Sequence, residues 1–361
     1  MAIVFYISGH GFGHASRQIE IINALHARTP AHAILVRTSA PRWLFDLSCD
    51  APVLFDPLQC DTGAVQRDSL HLDEDATIRD AAEFHADLPE KAEHEAAYLG
   101  ACRAAVVITD APPLACVGAM RAGVPSYVVA NFTWDWIYDG YAAQAARCPW
   151  LVPALREAYS LSTGAWRLPM WGGFSGIERV EDVPFVARRA RHGRDETRRR
   201  FGIASNSPVV LVSFGGLGLD RIRANSRLRR YTVVTVGGVV GAELGVGTII
   251  DERELYHAGF RYEDLVAAAD VVVTKPGYGI LSECIANGAA VLYTSRGHFR
   301  EYEVLVRELP RYTRAAFIPQ ADLFDGHWEP FVEELLAQEP ARERPRVDGA
   351  ETVADRIVSL L

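Results

Sequence analysis

Six consecutive apolar residues, Ala2-Ile3-Val4-Phe5-Tyr6-Ile7, run directly into Ser8-Gly9-His10-Gly11-Phe12-Gly13-His14-Ala15-Ser16-Arg17, after which apolar residues recur at helical spacing through Leu25. The pattern predicts a buried strand, a tight glycine turn and a helix. In an open parallel sheet such a junction lies at the carboxyl edge, where ligands bind, and the amino end of the helix favours anions. His10 and His14 sit in that junction. Either is a candidate functional residue, and the competing reading is a polar loop whose glycines only make the turn. His14, expected in the first helical turn and facing a cleft, is the stronger candidate.

Gly9, Gly11 and Gly13 are spaced two apart, which breaks the G-x-G-x-x-G dinucleotide pattern. The next strand signal, Ala33-Ile34-Leu35-Val36, ends in Arg37-Thr38 and offers no carboxylate for a ribose, which weighs against NAD. Arg37 leaves a 2′-phosphate, and so NADP, as the residual dinucleotide reading. No G-x-x-x-x-G-K-[ST] segment occurs, which excludes a P-loop.

A chain of 361 residues is long for one core and suggests two domains. Its net charge of −9 gives no general attraction for nucleic acid or an anionic membrane. The arginine run from Arg188 to Arg200 is the local exception and reads as a solvated helix face. Six cysteines without C-x-x-C spacing read as reduced residues, not a zinc site. With no signal peptide and no membrane-spanning apolar stretch, a cytoplasmic protein is expected, at most peripheral to a membrane.

Strand and helix signals alternate along the chain. Val53-Leu54-Phe55, a helix from Thr77 to about Gly100, Ala105 to Ile108, a helix from Pro113 to Ala122 and Ser126 to Ala130 complete a first set. Prolines 149, 153 and 169 and the Gly172-Gly173 pair punctuate the middle. A second set comprises Val209 to Val212, Tyr231 to Val236, Val271 to Thr274, a helix from Ile280 to Asn287 and Ala290 to Tyr293. The fold expected is therefore α/β, with two doubly wound Rossmann-like domains facing a cleft. The division expected is 1–172, 173–348 and an amphipathic terminal helix over 349–361 that packs back on the first domain.

Two later junctions repeat the opening theme. Ser213-Phe214-Gly215-Gly216-Leu217-Gly218 follows a strand, and bare amides there can approach a phosphate. Thr274-Lys275-Pro276-Gly277-Tyr278-Gly279 leads into a helix carrying Glu283. A glutamate one turn inside such a helix can accept both ribose hydroxyls while the helix start takes a diphosphate. A favourable charge near a helix start is the plainer reading of Glu283, and a surface residue that of Lys275. Arg296, His298, Arg300, Glu301 and Glu303 crowd the loop after the next strand, where sugar hydroxyls would need polar partners.

The segment D-V-V-V-T-K-P-G-Y-G-I-L-S-E-C-I-A-N-G, residues 270 to 288, resembles the nucleotide-sugar signature of two-domain GT-B glycosyltransferases, especially those of the MurG type. G-H-G-F-G-H-A-S-R is similar to the amino-terminal loop of that family. D-T-G-A-V-Q-R-D-S-L at 61 to 70 and N-F-T-W-D-W-I-Y at 131 to 138 resemble the glycosyltransferase-like region of plant L-arabinokinases. Their kinase activity belongs to a separate carboxy-terminal domain with its own glycine-serine loop, which this sequence lacks, so only transfer chemistry carries over.

The resemblance implies a UDP-sugar donor held by Lys275, Gly277, Tyr278, Gly279 and Glu283, with Gly215 and Gly216 near the phosphates, Phe260 and Arg261 bordering the base, and Glu301 near the sugar. It implies His14 as the base that takes the acceptor proton, with inversion at the anomeric carbon and without a metal or cofactor. The acceptor side would comprise His10, Gly13, Asp110, Trp134 and Asp135, the aromatics being packing residues on the alternative reading. A hydrolase using water, through the similar G-x-G-H-x-x-R loop, and a non-catalytic sugar-nucleotide-binding protein remain open, as do sugar, acceptor and oligomeric state.

Overall fold

The computed structural model describes residues 1–204, 206–215, 222–223, 226–236 and 247–361. The opening apolar run forms β1 (Ala2–Ile7), buried along its whole length. It pairs in parallel with β2 (Ala33–Thr38) on one side and β4 (Ala104–Thr109) on the other. With β3 (Val53–Pro57), β5 (Ser126–Phe132), β6 (Gly164–Gly172) and β7 (Val180–Asp182) they make a seven-stranded sheet in the order β3-β2-β1-β4-β5-β6-β7. A second sheet of six strands has β8 (Val209–Ser213), β9 (Thr232–Val236), β10 (Thr248–Ile250), β11 (Val271–Thr274), β12 (Ala290–Tyr293) and β13 (Ala315–Phe317) in the order β10-β9-β8-β11-β12-β13.

Both sheets reverse their strand order beside the first strand laid down, at β1/β4 and at β8/β11. The connections diverge to opposite faces there and leave a crevice at the carboxyl ends. All three glycine junctions lie on these two switch points. That placement follows from topology alone, before any side chain is considered.

Two parts of the expected layout differ. The helix anticipated from Thr77 to Gly100 is two helices, Glu74–Ala86 and Leu88–Ala101. Pro89 accounts for the break, because its ring lacks an N–H and crowds the preceding turn. The punctuated middle holds β6, whose Trp166, Leu168 and Met170 are buried on alternate positions despite Pro169. With β7 paired to β6, the first sheet runs past the glycine pair at 172–173 to Asp182.

Among the described residues the domains are tied at several places. The terminal helix Gly349–Val358 lies on the opening helix, Phe12–Arg28, sharing a core with Ile19, Ile22 and Leu25, and Arg28 pairs with Asp355. A short antiparallel arm, in which Gln66 bridges Leu72, carries Leu70 into the core of the second sheet beside Val212 and Phe214. Arg261 donates to the Ser48 carbonyl at 2.8 Å and to Asp50 at 2.7 Å.

Among the described residues no helix is long and apolar enough to cross a membrane. All six cysteines are free thiols.

Candidate active site

At the first switch point the loop after β1 is turned by Gly11, whose φ of 76° is the left-handed conformation that favours glycine. No side chain caps the helix that follows, so its first N–H groups are left to the cleft. His14, in the first turn, places Nδ1 2.5 Å from Oδ2 of Asp110, the first residue beyond β4. Asp110 is fully buried, and its Oδ1 accepts the Ser8 N–H at 2.9 Å. Burial alone would raise the Asp110 carboxyl, but His14, Arg17 and the Ser8 amide together hold it below the ordinary range. An ionised, buried carboxylate fixes the His14 proton on Nδ1 and leaves Nε2 as the basic nitrogen.

A second carboxylate stands behind the pair. Asp61 accepts the Ser8 hydroxyl at 3.0 Å and the Trp134 indole N–H at 2.8 Å. Burial, and then the charge of Asp110, push it up to about 6. Ser8 thus serves one carboxylate with its amide and the other with its hydroxyl. Trp134 is fully buried, stacking on Tyr138 at 5.4 Å and lying 6.4 Å from the His14 ring. It therefore packs the histidine loop from behind.

His10 plays a different part from His14. Its Nδ1 accepts the Ala64 N–H at 3.3 Å, so the ring carries its proton on Nε2. Burial, followed by the His14, Arg296 and Lys275 charges, holds its pKa well below the ordinary value. His10 is a neutral, packed imidazole.

The second switch point presents backbone. The helix Tyr278–Asn287 starts at Gly277 with no side-chain cap and no acidic residue in its first turn. It meets the opening helix end to end: a Cβ added at Gly279 would lie 3.3 Å from the Gly13 Cα. Two positive helix ends converge on one spot, a mutual repulsion that an anion relieves. Lys275 adds a cation whose pKa burial, then Arg296, lowers to about 7, and its Nζ donates to Gln66 at 3.4 Å. Gly215 turns the chain after β8 with φ 71°, and Gly216 lies outside the described residues.

Other expected site residues have partners of their own. Oε1 of Glu283 accepts from the Arg188 Nε at 2.7 Å and Nη2 at 2.6 Å, so a ribose would share this carboxylate with Arg188. Phe260 stacks on His192 at 3.9 Å. Tyr278 lies under the Arg17 guanidinium at 5.2 Å. Glu301 accepts from Asn131 Nδ2 at 2.7 Å across the domains. Asp135 is joined to Arg156 at 3.3 Å and not to the histidine loop.

The arginine run is the solvated face expected of it at Arg189, Arg191, Arg199 and Arg200, which are exposed, but not at Arg188 and Arg198. Arg188 is nearly buried between Glu283 and Glu263, and Arg198 donates to Asp270 at 2.9 Å and to the Ala268 carbonyl at 2.9 Å. Arg37, which the sequence left to a 2′-phosphate, is instead spent on Glu95 at 2.6 Å and on Asp56. Ser8, Arg17, Asp61 and Asn131 were not singled out from the sequence. Ser8 and Asn131 directly follow strand signals, and Asp61 and Asn131 open the two segments that resemble the arabinokinase region.

No family model matches the chain. Over 98% of its length it is 31% identical to an L-arabinokinase of Arabidopsis thaliana, covering 34% of that protein. Over 46% of its length it is 29% identical to a UDP-N-acetylglucosamine–N-acetylmuramyl-(pentapeptide) pyrophosphoryl-undecaprenol N-acetylglucosamine transferase of Salinibacter ruber, covering 50% of that protein. The chain therefore spans about a third of one relative and half of the other.

Among solved structures, the calicheamicin glycosyltransferase superposes over 100% of this chain and 98% of its own, with a TM-score of 0.62 at 16% identity. The glycosyltransferase VinC, in complex with DTDP, covers 100% of this chain and 95% of its own, with a TM-score of 0.54 at 14% identity. At such identities the likeness is one of fold. The chain has the two-domain GT-B architecture of these glycosyltransferases.

Proposed function

We propose that the chain is a glycosyltransferase that moves a sugar from a UDP-sugar to an acceptor hydroxyl with inversion. The observation that carries this reading is the juxtaposition of the His14–Asp110 pair with the uncapped start of the helix Tyr278–Asn287, where Gly13 and Gly279 touch. A proton acceptor and a diphosphate-sized anion site then face each other across one crevice. The transferase of Salinibacter ruber and both superposed glycosyltransferases support the direction of the inference.

In the proposed step the acceptor oxygen attacks the anomeric carbon while the bond from that carbon to the diphosphate breaks. The bonding electrons leave with the diphosphate, whose charge the two helix ends and Lys275 meet. The acceptor proton passes to His14 Nε2, and Asp110 stabilises the imidazolium that forms. In this reading the helix ends and Lys275 supply the positive charge that the leaving diphosphate needs. The six free thiols support a cytoplasmic setting.

Product analysis tests the reading. The full chain is incubated with UDP-sugars, with dTDP-sugars for comparison, and with extracted acceptors. Released UDP together with a glycosylated acceptor is the expected result. Free sugar formed equally fast without acceptor would make it a hydrolase, and no nucleotide binding at all would remove the catalytic reading.

A further inference from the structure

A continuous run of polar contacts joins the catalytic pair of the first domain to the donor side of the second. Arg17 reaches Asp110 Oδ2 with Nη2 at 3.4 Å and donates through Nη1 to Asn131 Oδ1 at 2.9 Å. Asn131 Nδ2 donates to Glu301 Oε1 at 2.7 Å. Arg296 stands 3.8 Å from the other Glu301 oxygen and donates to the Pro276 carbonyl at 2.9 Å, next to the Gly277 cap. Arg17, Asn131, Arg296 and Glu301 are each at most 7% exposed.

The chemistry of the central link is dictated by its neighbours. A guanidinium only donates and an ionised carboxylate only accepts, so the residue between them has to accept on one side and donate on the other. A carboxamide does both, and the pairing fixes its orientation. Asn131 lies near the end of β5, whereas Glu301 is in the first turn of the helix Arg300–Glu308. The bond between them forms only when that helix start is docked on the first domain. Removing the link leaves buried Arg17 with only its 3.4 Å contact to Asp110 and buried Glu301 with only its 3.8 Å approach to Arg296.

We propose that Asn131 is a positioning residue: it sets Arg17 against Asp110, and through Asp110 the His14 ring, while Glu301 is docked against it. The inference rests on the glycosyltransferase reading for the roles of His14 and Glu301. Its consequence is an order of assembly. The proton acceptor reaches its working geometry after the donor-side helix has closed.

The test is hydrogen exchange on the full chain with saturating UDP, alongside turnover of whichever UDP-sugar the unaltered protein uses. Asn131→Asp turns the donating edge into a carboxylate facing Glu301. Exchange over 126–132 and 300–308 is expected to quicken about tenfold or more, as local opening becomes easier. Misplacing the base should lower kcat about 100-fold, while donor KM stays within roughly threefold because uniform binding is retained. Adding Glu301→Gln restores a donor opposite the new acceptor, so Asn131→Asp with Glu301→Gln regains protection in both segments. Glu301→Ala opens 126–132 from the other domain without touching β5, which covers the case in which Asn131→Asp fails to fold.

Unchanged exchange in both single variants overturns the clasp, as does a double variant no better protected than Asn131→Asp. A rise in KM at unchanged kcat overturns the positioning role. If the unaltered chain leaves every UDP-sugar intact, the transferase reading falls by itself, and the exchange cycle still decides the clasp.

Discussion

The two switch points are built from the same local motif, a strand running through glycines into an uncapped helix, yet they are furnished in opposite ways. The first is dense with ionisable side chains: buried His14, Asp110 and Asp61 and half-buried His10 lie within one packed cluster with Trp134. The second offers amides, the weakened cation of Lys275 and the Arg296 guanidinium beside Gly277, and the carboxylate on its helix, Glu283, is held by Arg188. Buried side chains can hold tautomers and move protons, whereas backbone amides can only meet charge that arrives. The difference assigns acid–base work to the first domain and anion binding to the second.

The sharpest way to break that division is to remove each function alone. His14→Ala should lower turnover by roughly 10⁴-fold, the upper range for a general base. UDP affinity, measured by calorimetry, should stay close to that of the unaltered chain. A parallel loss of UDP binding would show that the first junction binds phosphate as well. Asp110→Asn keeps the imidazole but no longer fixes its tautomer, and turnover is expected to fall by roughly 10²-fold, toward the lower range of such effects.

Lys275 tests the other side. Burial favours its neutral form, so below a pKa of about 7 it carries a charge in the free protein, and above that it loses the charge. UDP affinity should therefore decline as pH rises through about 7, apart from the titration of UDP itself. Lys275→Met cancels the nucleotide's own contribution in the comparison. The variant should bind UDP about tenfold more weakly at pH 6, the worth of one charged hydrogen bond, and the gap should narrow by pH 9. Calorimetric titrations at the two pH values decide it, and a pH-independent gap would remove Lys275 from the anion site.

The alternation of strands and helices, the three glycine junctions and the place of His14 were legible because each is a local signal. Apolar runs bounded by glycine specify a strand and its edge without help from elsewhere. β6 was missed because Pro169 and the glycine pair read as punctuation, although its alternating Trp166, Leu168 and Met170 were in view. Partners were the larger loss. Arg188 with Glu283, and Asn131 with Glu301, are brought together by domain packing, and nothing in their own neighbourhoods announces the other member. Arg188 and Arg198 look like the rest of a solvated arginine run until the carboxylates they meet are placed.

The smallest effect probes the contact between the two junctions directly. Gly13 and Gly279 are both in the first turn of their helices, where alanine is favoured over glycine by about 1 kcal/mol at most. On propensity alone the two Gly→Ala changes should behave alike. The interface separates them. A Cβ at Gly279 would lie 3.3 Å from the Gly13 Cα, whereas one at Gly13 would lie 4.0 Å from the Gly279 amide nitrogen, an ordinary contact. Gly279→Ala therefore has to spread the helix ends by a few tenths of an ångström, and Gly13→Ala does not. Overpacking costs about 1–3 kcal/mol in a rigid core, and a domain interface relaxes part of that. Gly279→Ala should accordingly lower kcat/KM about threefold more than Gly13→Ala, on the order of 0.6 kcal/mol. Equal losses would mean that the helix ends do not stay in contact during turnover, and that charge on the leaving group is met by the second domain alone.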